Sequence, residues 1–263
     1  MKAIVSGGSS GIGAAACLRL AEAALARGTQ PMIVVCGHQQ NETQKDVVRS
    51  IQAMGGTAIA LVGDLGDPDV PTQLVAAAID EFGGLDALVA NAGTANPVPL
   101  KDLSVDDWDD MFSVNVRGAW LLAKESYPHL KGSHGAVCFT SSQSGHIPHA
   151  GSGAYSPTKA ALTLLAQTLA LEWAPDGIRV NVVSPGMTRT GMTEKMYTDP
   201  EIKKARELLI PLSRIGDPID IANVIEFLVS PLSGYVTGQD ITVDGGFSIS
   251  ILSHIPGRPS SKS

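Results

Sequence analysis

The chain has 263 residues, 44% hydrophobic and 17% charged, and carries a formal net charge of -7. This composition excludes the low-hydrophobicity, high-charge signature of a disordered chain, and the acidic balance argues against a nucleic-acid partner. No apolar run reaches the ~18 residues that a membrane span needs. The N-terminal run before Gly7 is too short for a signal peptide, so a cytoplasmic protein with no membrane partner is expected. The three cysteines, Cys17, Cys36 and Cys138, are odd in number and scattered, so neither a disulfide framework nor a metal site is expected.

The first strand, Ala3–Ser6, runs into Ser6-Gly7-Gly8-Ser9-Ser10-Gly11-Ile12-Gly13, and a helix is predicted over 11–27. Glycines allow a tight turn and a close approach of backbone N–H groups to a pyrophosphate. The helix N-terminus adds a positive dipole end. Gly7, Ser9, Ser10, Gly11, Ile12 and Gly13 are therefore candidate cofactor contacts. The Gly-x3-Gly-x-Gly spacing differs from the common dinucleotide fingerprint, and an ordinary strand–helix turn is the alternative.

A second strand, Met32–Cys36, and a helix over 41–54 follow, then a third strand, Ala58–Val62. Asp64 and Leu65 come next, where a carboxylate can accept a hydrogen bond from an adenine amino group or else cap a helix. After a helix over 68–82, the fourth strand, Ala87–Ala90, ends in Asn91-Ala92-Gly93. That is the carboxyl edge where open α/β sheets bind ligands, although the triplet also suits a plain turn. A long helix is predicted over 104–130, then a fifth strand, Ala136–Thr140, a helix over 153–174, a sixth strand, Arg179–Val183, a helix over 217–229 and a last strand, Asp240–Val243. Near-continuous apolar strands alternating with helices predict an α/β fold: a doubly wound Rossmann-type parallel sheet of about seven strands with helices on both faces. Residues 1–256 read as one unit and 257–263 as a flexible polar tail.

Tyr155 and Lys159 stand four apart at the start of a predicted helix, hence on one helical face. An ammonium beside a phenol favours the phenolate and lowers its pKa from about 10, which suits proton exchange with an alcohol oxygen. Ser142, at the end of the fifth strand, faces the same crevice with a hydroxyl able to hold that oxygen. Taken alone, Tyr-x3-Lys also describes an amphipathic residue beside a solvated lysine.

Together, Gly7, Gly11, Gly13, Asn91-Ala92-Gly93, Asn115, Ser142, Tyr155, Lys159 and Pro185-Gly186 closely resemble the short-chain dehydrogenase/reductase family, in order, over residues 2 to about 247. The resemblance implies a nicotinamide cofactor and hydride transfer between it and a secondary alcohol or ketone, a small-molecule substrate. It assigns Tyr155 as general acid/base and Ser142 to the substrate oxygen. Lys159 would bind the nicotinamide ribose and tune Tyr155, and Asn115 would position a water in a proton relay to Lys159. Pro185, Gly186, Thr188 and Thr190 would hold the carboxamide and phosphates. Gly238-Gln239 and Val243-Asp244-Gly245-Gly246 match the family's last strand and are read as structural. It also implies a homo-oligomer, a tetramer, which suits the apolar residues on several faces of helices 104–130 and 153–174.

The match departs in places. Ser6 stands where the family usually has Thr, and a longer stretch than usual separates Gly13 from the second strand. The apolar segment 247–256 would cover a pocket, a neighbouring subunit or its own core. At the end of the second strand, Gly37 takes the place where NAD enzymes carry Asp. His38 takes one where NADP enzymes often carry Arg. With no carboxylate before Glu42, NADP(H) is favoured and NAD(H) remains open.

His146, His149, Gln143 and Ser144 lie between Ser142 and Tyr155 and are candidates for substrate contact or solvated loop. By the resemblance, Met187–Arg214 is a lid whose Met187, Met192 and Met196 form an adaptable apolar wall; Lys203, Lys204 and Arg206 read as its solvated face. Three other functions compete. A 3-oxoacyl thioester reductase is the runner-up, disfavoured by the acidic charge, since carrier proteins are acidic too. A non-catalytic dinucleotide sensor is disfavoured by the intact Ser142, Tyr155 and Lys159. A sugar-nucleotide epimerase or dehydratase would be longer.

Overall fold

Successive residues of the first strand part to opposite sides: Ala3 and Val5 enter one buried cluster and Ile4 the other. This is the period-two geometry of a strand covered on both faces. The computed structural model describes residues 1–255. Strands β1 (Lys2–Ser6), β2 (Met32–Gly37), β3 (Thr57–Val62), β4 (Ala87–Ala90), β5 (Ala136–Thr140), β6 (Arg179–Pro185) and β7 (Asp240–Val243) form one sheet of order β3-β2-β1-β4-β5-β6-β7. Every neighbouring pair is parallel. The doubly wound expectation holds, with strand ends within two residues of those predicted.

The helices are α1 (Gly11–Ala26), α2 (Glu42–Ala53), α3 (Val70–Phe82), α4 (Val105–Phe112), α5 (Ala119–Ser133), α6 (Tyr155–Trp173), α7 (Glu194–Tyr197), α8 (Pro200–Glu207) and α9 (Pro218–Val229). On one face Leu74 of α3, Leu122 of α5 and Leu162 of α6 pack on Ile4, Leu88 and Phe139. On the other, Leu20 of α1, Ile51 of α2 and Ile225 of α9 pack on Val5, Ile33 and Val89. The longer stretch after Gly13 extends α1 and its return, which turns at Gly28 (φ 71°). The three cysteines are free and buried.

Two departures from the predicted elements bear on the site. The helix expected over 104–130 is split by a π-helical turn, Ser113–Gly118, between α4 and α5; such turns recur at functional sites. The irregular stretch 187–214 contains the short helices α7 and α8. The expected tail 257–263 lies outside the described residues.

The strand order reverses between β1 and β4, whose last residues, Ser6 and Ala90, pair side by side. At such a switch point the loops leave in opposite directions and open a crevice at the carboxyl edge.

Candidate active site

A cleft of about 930 Å³ opens at this edge. Every predicted cofactor-contact residue except Gly13 lines it: Gly7, Ser9, Ser10, Gly11 and Ile12 from the first turn, His38, Asp64 and Leu65, Asn91-Ala92-Gly93, Tyr155 and Lys159, and Pro185, Gly186, Thr188 and Thr190. Gly13 acts from behind: a Cβ there would fall 2.1 Å from the Gly7 carbonyl oxygen, so only glycine lets α1 meet the turn this closely. Gly7 takes φ 65°, which glycine adopts freely. The Ser6 hydroxyl accepts from the N–H groups of Asn91 (3.0 Å) and Ala92 (3.1 Å). Serine in the usual threonine place thus ties the two strand ends together.

The first turn suits a dinucleotide. Ser10 precedes α1 without capping it, and no acidic residue lies in the first turn of the helix. The N–H groups there are left for an anion. Gly11 faces Thr190 across the cleft, where a Cβ would touch its side chain at 3.4 Å. A nicotinamide dinucleotide is compatible with these features.

Ser142, Tyr155 and Lys159 line the same cleft. Ser142 follows β5 and is buried; its Oγ accepts from the Ser144 N–H at 3.1 Å. Lys159 is buried and donates from Nζ to the Thr140 carbonyl at 2.8 Å. Burial lowers its pKa to about 8. Tyr155 is partly exposed at the start of α6. Burial pushes its phenol above the ordinary value, and the Ser142 hydroxyl pulls it back in part. The lowering expected from Lys159 is not what this geometry gives, because Nζ stands 5.6 Å from the Tyr155 ring centroid and is turned to Thr140.

Asn115 sits on the π-turn, buried, with its amide engaged. Oδ1 accepts from Thr94 N–H at 2.7 Å, and Nδ2 donates to Thr94 O at 2.9 Å and to Thr158 Oγ1 at 3.0 Å. It therefore holds the strand end after Gly93 against the first turn of α6. A Cβ on Gly93 would lie 3.3 Å from Asn115 Oδ1 and 3.4 Å from Lys159 Nζ. Glycine there keeps the space before both groups open.

Other expectations resolve differently. Asp64 caps no helix; its Oδ1 accepts from Gly66 N–H at 2.8 Å and lies 3.9 Å from His38 Nδ1. Of the residues weighed for substrate contact, Gln143, Ser144, His146 and His149 are absent from the cleft lining. His146 pairs with Asp240 instead. Met192 lines the cleft, while Met187 and Met196 do not. Asp244 is structural as expected, accepting from the N–H groups of Gly246 and Ser248. Ile249, Ile251 and Leu252 of the apolar terminal segment are exposed rather than packed in the core. Sequence reasoning missed Arg117, which lines the cleft and donates to the Gly66 carbonyl. It also missed Thr193, whose hydroxyl donates to Thr188 O and accepts from Thr190 N–H. The signal for Thr193 was its spacing after Thr190, three residues on.

A family model described as enoyl-(acyl carrier protein) reductase matches residues 7–248. The 2,5-dichloro-2,5-cyclohexadiene-1,4-diol dehydrogenase of Sphingobium indicum is 37% identical, covering 95% of this chain and 96% of its own. The chain belongs to the short-chain dehydrogenase/reductase family. Versicolorin reductase of Emericella nidulans, another relative, is 34% identical over 93% of this chain and 94% of its own. The crystal structure of acetoin dehydrogenase from Enterobacter cloacae superposes with a TM-score of 0.84 at 33% identity, covering 98% of this chain and 99% of that one. As a short-chain dehydrogenase/reductase, the protein is an oxidoreductase acting on CH–OH groups. It transfers a hydride between a nicotinamide cofactor and a secondary alcohol or ketone.

Proposed function

We propose that Tyr155 is the general acid/base of this reaction and that Ser142 holds the substrate oxygen. The observation that carries the reading is that the Ser142 hydroxyl, Tyr155 and Lys159 line the same cleft as the glycine-rich first turn. In the reductive direction, Tyr155 Oη gives its proton to the carbonyl oxygen while Ser142 Oγ donates a hydrogen bond to the same oxygen. When bound, the nicotinamide supplies the hydride to the carbonyl carbon. The product is the secondary alcohol, and Tyr155 recovers its proton from solvent. Lys159, on the same face of α6, would supply a donor for the nicotinamide ribose. Asn115 positions water before Lys159 in the space that Gly93 leaves open.

Gly7, Ser9, Ser10, Gly11 and Ile12 would hold the pyrophosphate, Asp64 and Leu65 the adenine, and Asn91-Ala92-Gly93 the ribose side. Pro185, Gly186, Thr188 and Thr190 would hold the carboxamide end. NADP(H) is favoured over NAD(H), because Gly37 places no carboxylate beside the adenosine ribose. Trp120 on α5 and Leu164 and Leu171 on α6 are exposed, which supports a homo-oligomer, a tetramer by family likeness. The free cysteines support a reducing compartment, the cytoplasm. The residues 1–256 are taken as one catalytic unit.

The test is turnover of a panel of secondary alcohols and ketones with NADPH and NADH, followed by nicotinamide absorbance. The reading expects reduction of at least one ketone, abolished in Tyr155→Phe. The family model's description favours a second reading, an acyl thioester substrate. Acetoacetyl-CoA and crotonyl-CoA in the same panel separate the two: turnover of a thioester with none of the ketones would replace the first reading.

A further inference from the structure

Asp240, on β7, carries a buried carboxylate with no part in the chemistry above. Its side chain is 8% exposed, and its Oδ1 is buried without a partner among the described residues. Oδ2 meets His146 Nε2 at 2.8 Å and Thr163 Oγ1 at 3.1 Å. None of Asp240, His146 and Thr163 lines the cleft. A carboxylate withdrawn from water costs stability that its partners repay only with good geometry, and an apolar side chain usually serves packing better. The pair therefore calls for a role other than packing.

Its position supplies one. The short segment from Ser141 to His146 carries Ser142 and is fastened at both ends to the same knot. At one end Ser141 Oγ donates to the Lys159 carbonyl at 2.9 Å and lies 3.1 Å from Thr163 Oγ1. At the other end His146 reaches Asp240. Between them the segment rests on α6: a Cβ on Gly145 would fall 3.0 Å from the Lys159 carbonyl carbon. Tyr155, Lys159 and Thr163 follow one another at four-residue spacing along that helix, so they share one stripe. Asp240 thus joins the segment that carries Ser142 to the helix that carries Tyr155.

We infer that Asp240 and His146 are positioning residues of the reaction, a pair that holds Ser142 Oγ in register with the Tyr155 hydroxyl. The inference rests on the roles proposed above for Ser142 and Tyr155. A misplacement of about 1 Å remote from the chemistry can cost roughly a hundredfold in rate, so a moderate loosening should be visible in kcat.

The experiment is a double-mutant cycle of His146→Ala and Ser142→Ala, with kcat and KM measured on the fastest ketone of the panel. Cofactor Kd is read from NADPH fluorescence. His146 is half-exposed, so its replacement spares the core. His146→Ala is expected to lower kcat roughly tenfold or more with cofactor Kd unchanged, and His146→Gln, which keeps a donor, to recover most of the loss. In the Ser142→Ala background the same change should cost less than about twofold, because the residue it positions is gone. An equal loss in both backgrounds overturns the inference, as does no loss, a loss confined to substrate KM, or no recovery with Gln. A Ser142→Ala enzyme as fast as wild type removes the underlying assignment and this inference with it. A slow Ser142→Ala enzyme with equal His146 effects in both backgrounds removes the inference alone.

Discussion

Lys159 Nζ donates to the Thr140 carbonyl oxygen at 2.8 Å in a fully buried position. Its pKa is lowered from 10.5 to about 8 by burial. At 1.36 kcal/mol per pH unit this corresponds to a cost of ~3 kcal/mol in the folded state. Below pH 8 the lysine is protonated whether folded or unfolded, and the cost is fully present. Between pH 8 and 10.5 the unfolded chain holds the proton and the folded one does not, so stability rises with pH. The cysteines oppose this, because burial raises the thiols of Cys17, Cys36 and Cys138 above 9.0 and stability falls as the unfolded thiols ionise. A difference measurement removes their part. Lys159→Met should be more stable relative to wild type at pH 7 than at pH 10, by ~2 kcal/mol, in urea melts of the apoprotein. A gap independent of pH would show that the lysine is not buried as a cation.

Tyr155→Phe should keep fold and cofactor affinity and lose at least 10²-fold in kcat, since the proton donor goes while the ring still packs. Circular dichroism and NADPH fluorescence check the first two, and steady-state turnover the third. Retention of more than half of kcat would take the general acid/base role from Tyr155. Ser142→Ala should lower kcat by roughly 10²-fold through loss of a donor to the developing charge.

Strand ends and the cleft-lining glycines Gly7, Gly11, Gly93 and Gly186 were legible because they depend on local chemistry: apolar runs, turns at strand ends and, for Tyr155 and Lys159, the i, i+4 spacing. What escaped depended on tertiary context. No local pattern in Ser113–Gly118 separates a π-turn from a continuous helix, so the split of the helix expected over 104–130 was invisible. The sign of the Tyr155 shift escaped for a related reason. Spacing put the lysine on the right face, but its Nζ is drawn to Thr140, which is nineteen residues away in sequence. His146 and Asp240 are 94 residues apart, and nothing in either segment announces the other.

Trp120, Leu164 and Leu171 present apolar surface on α5 and α6, while Leu122, Leu162 and Leu169 of the same helices face the core. One stripe serves the sheet and the other suits a second copy. Light scattering at micromolar concentration should return a multiple of the 27.3 kDa chain mass. Leu171→Lys should shift the population towards smaller species. A monomer in wild type would sink the oligomer reading.

Gly37 and Ser9 decide how the cofactor preference can be changed. A Cβ on Gly37 would fall 2.9 Å from Ser9 Cβ and 3.0 Å from Ser9 Oγ, too close for either to stay in place. Gly37→Asp alone should therefore disturb the first turn and weaken binding of both cofactors. Paired with Ser9→Gly, the aspartate has room to accept hydrogen bonds from the ribose hydroxyls and repel a 2′-phosphate. The double variant should then prefer NADH by kcat/KM. His38 points the other way. Its Nδ1 lies 3.9 Å from Asp64 Oδ1, so the carboxylate competes with a phosphate for the ring. His38→Arg supplies a permanent charge and a planar fork that matches phosphate oxygens. It should raise kcat/KM for NADPH by roughly tenfold and leave that for NADH within about twofold. Wild-type enzyme that already favours NADH tenfold or more would refute the NADP(H) preference, and backbone or Asn41 contacts would then have to hold the ribose.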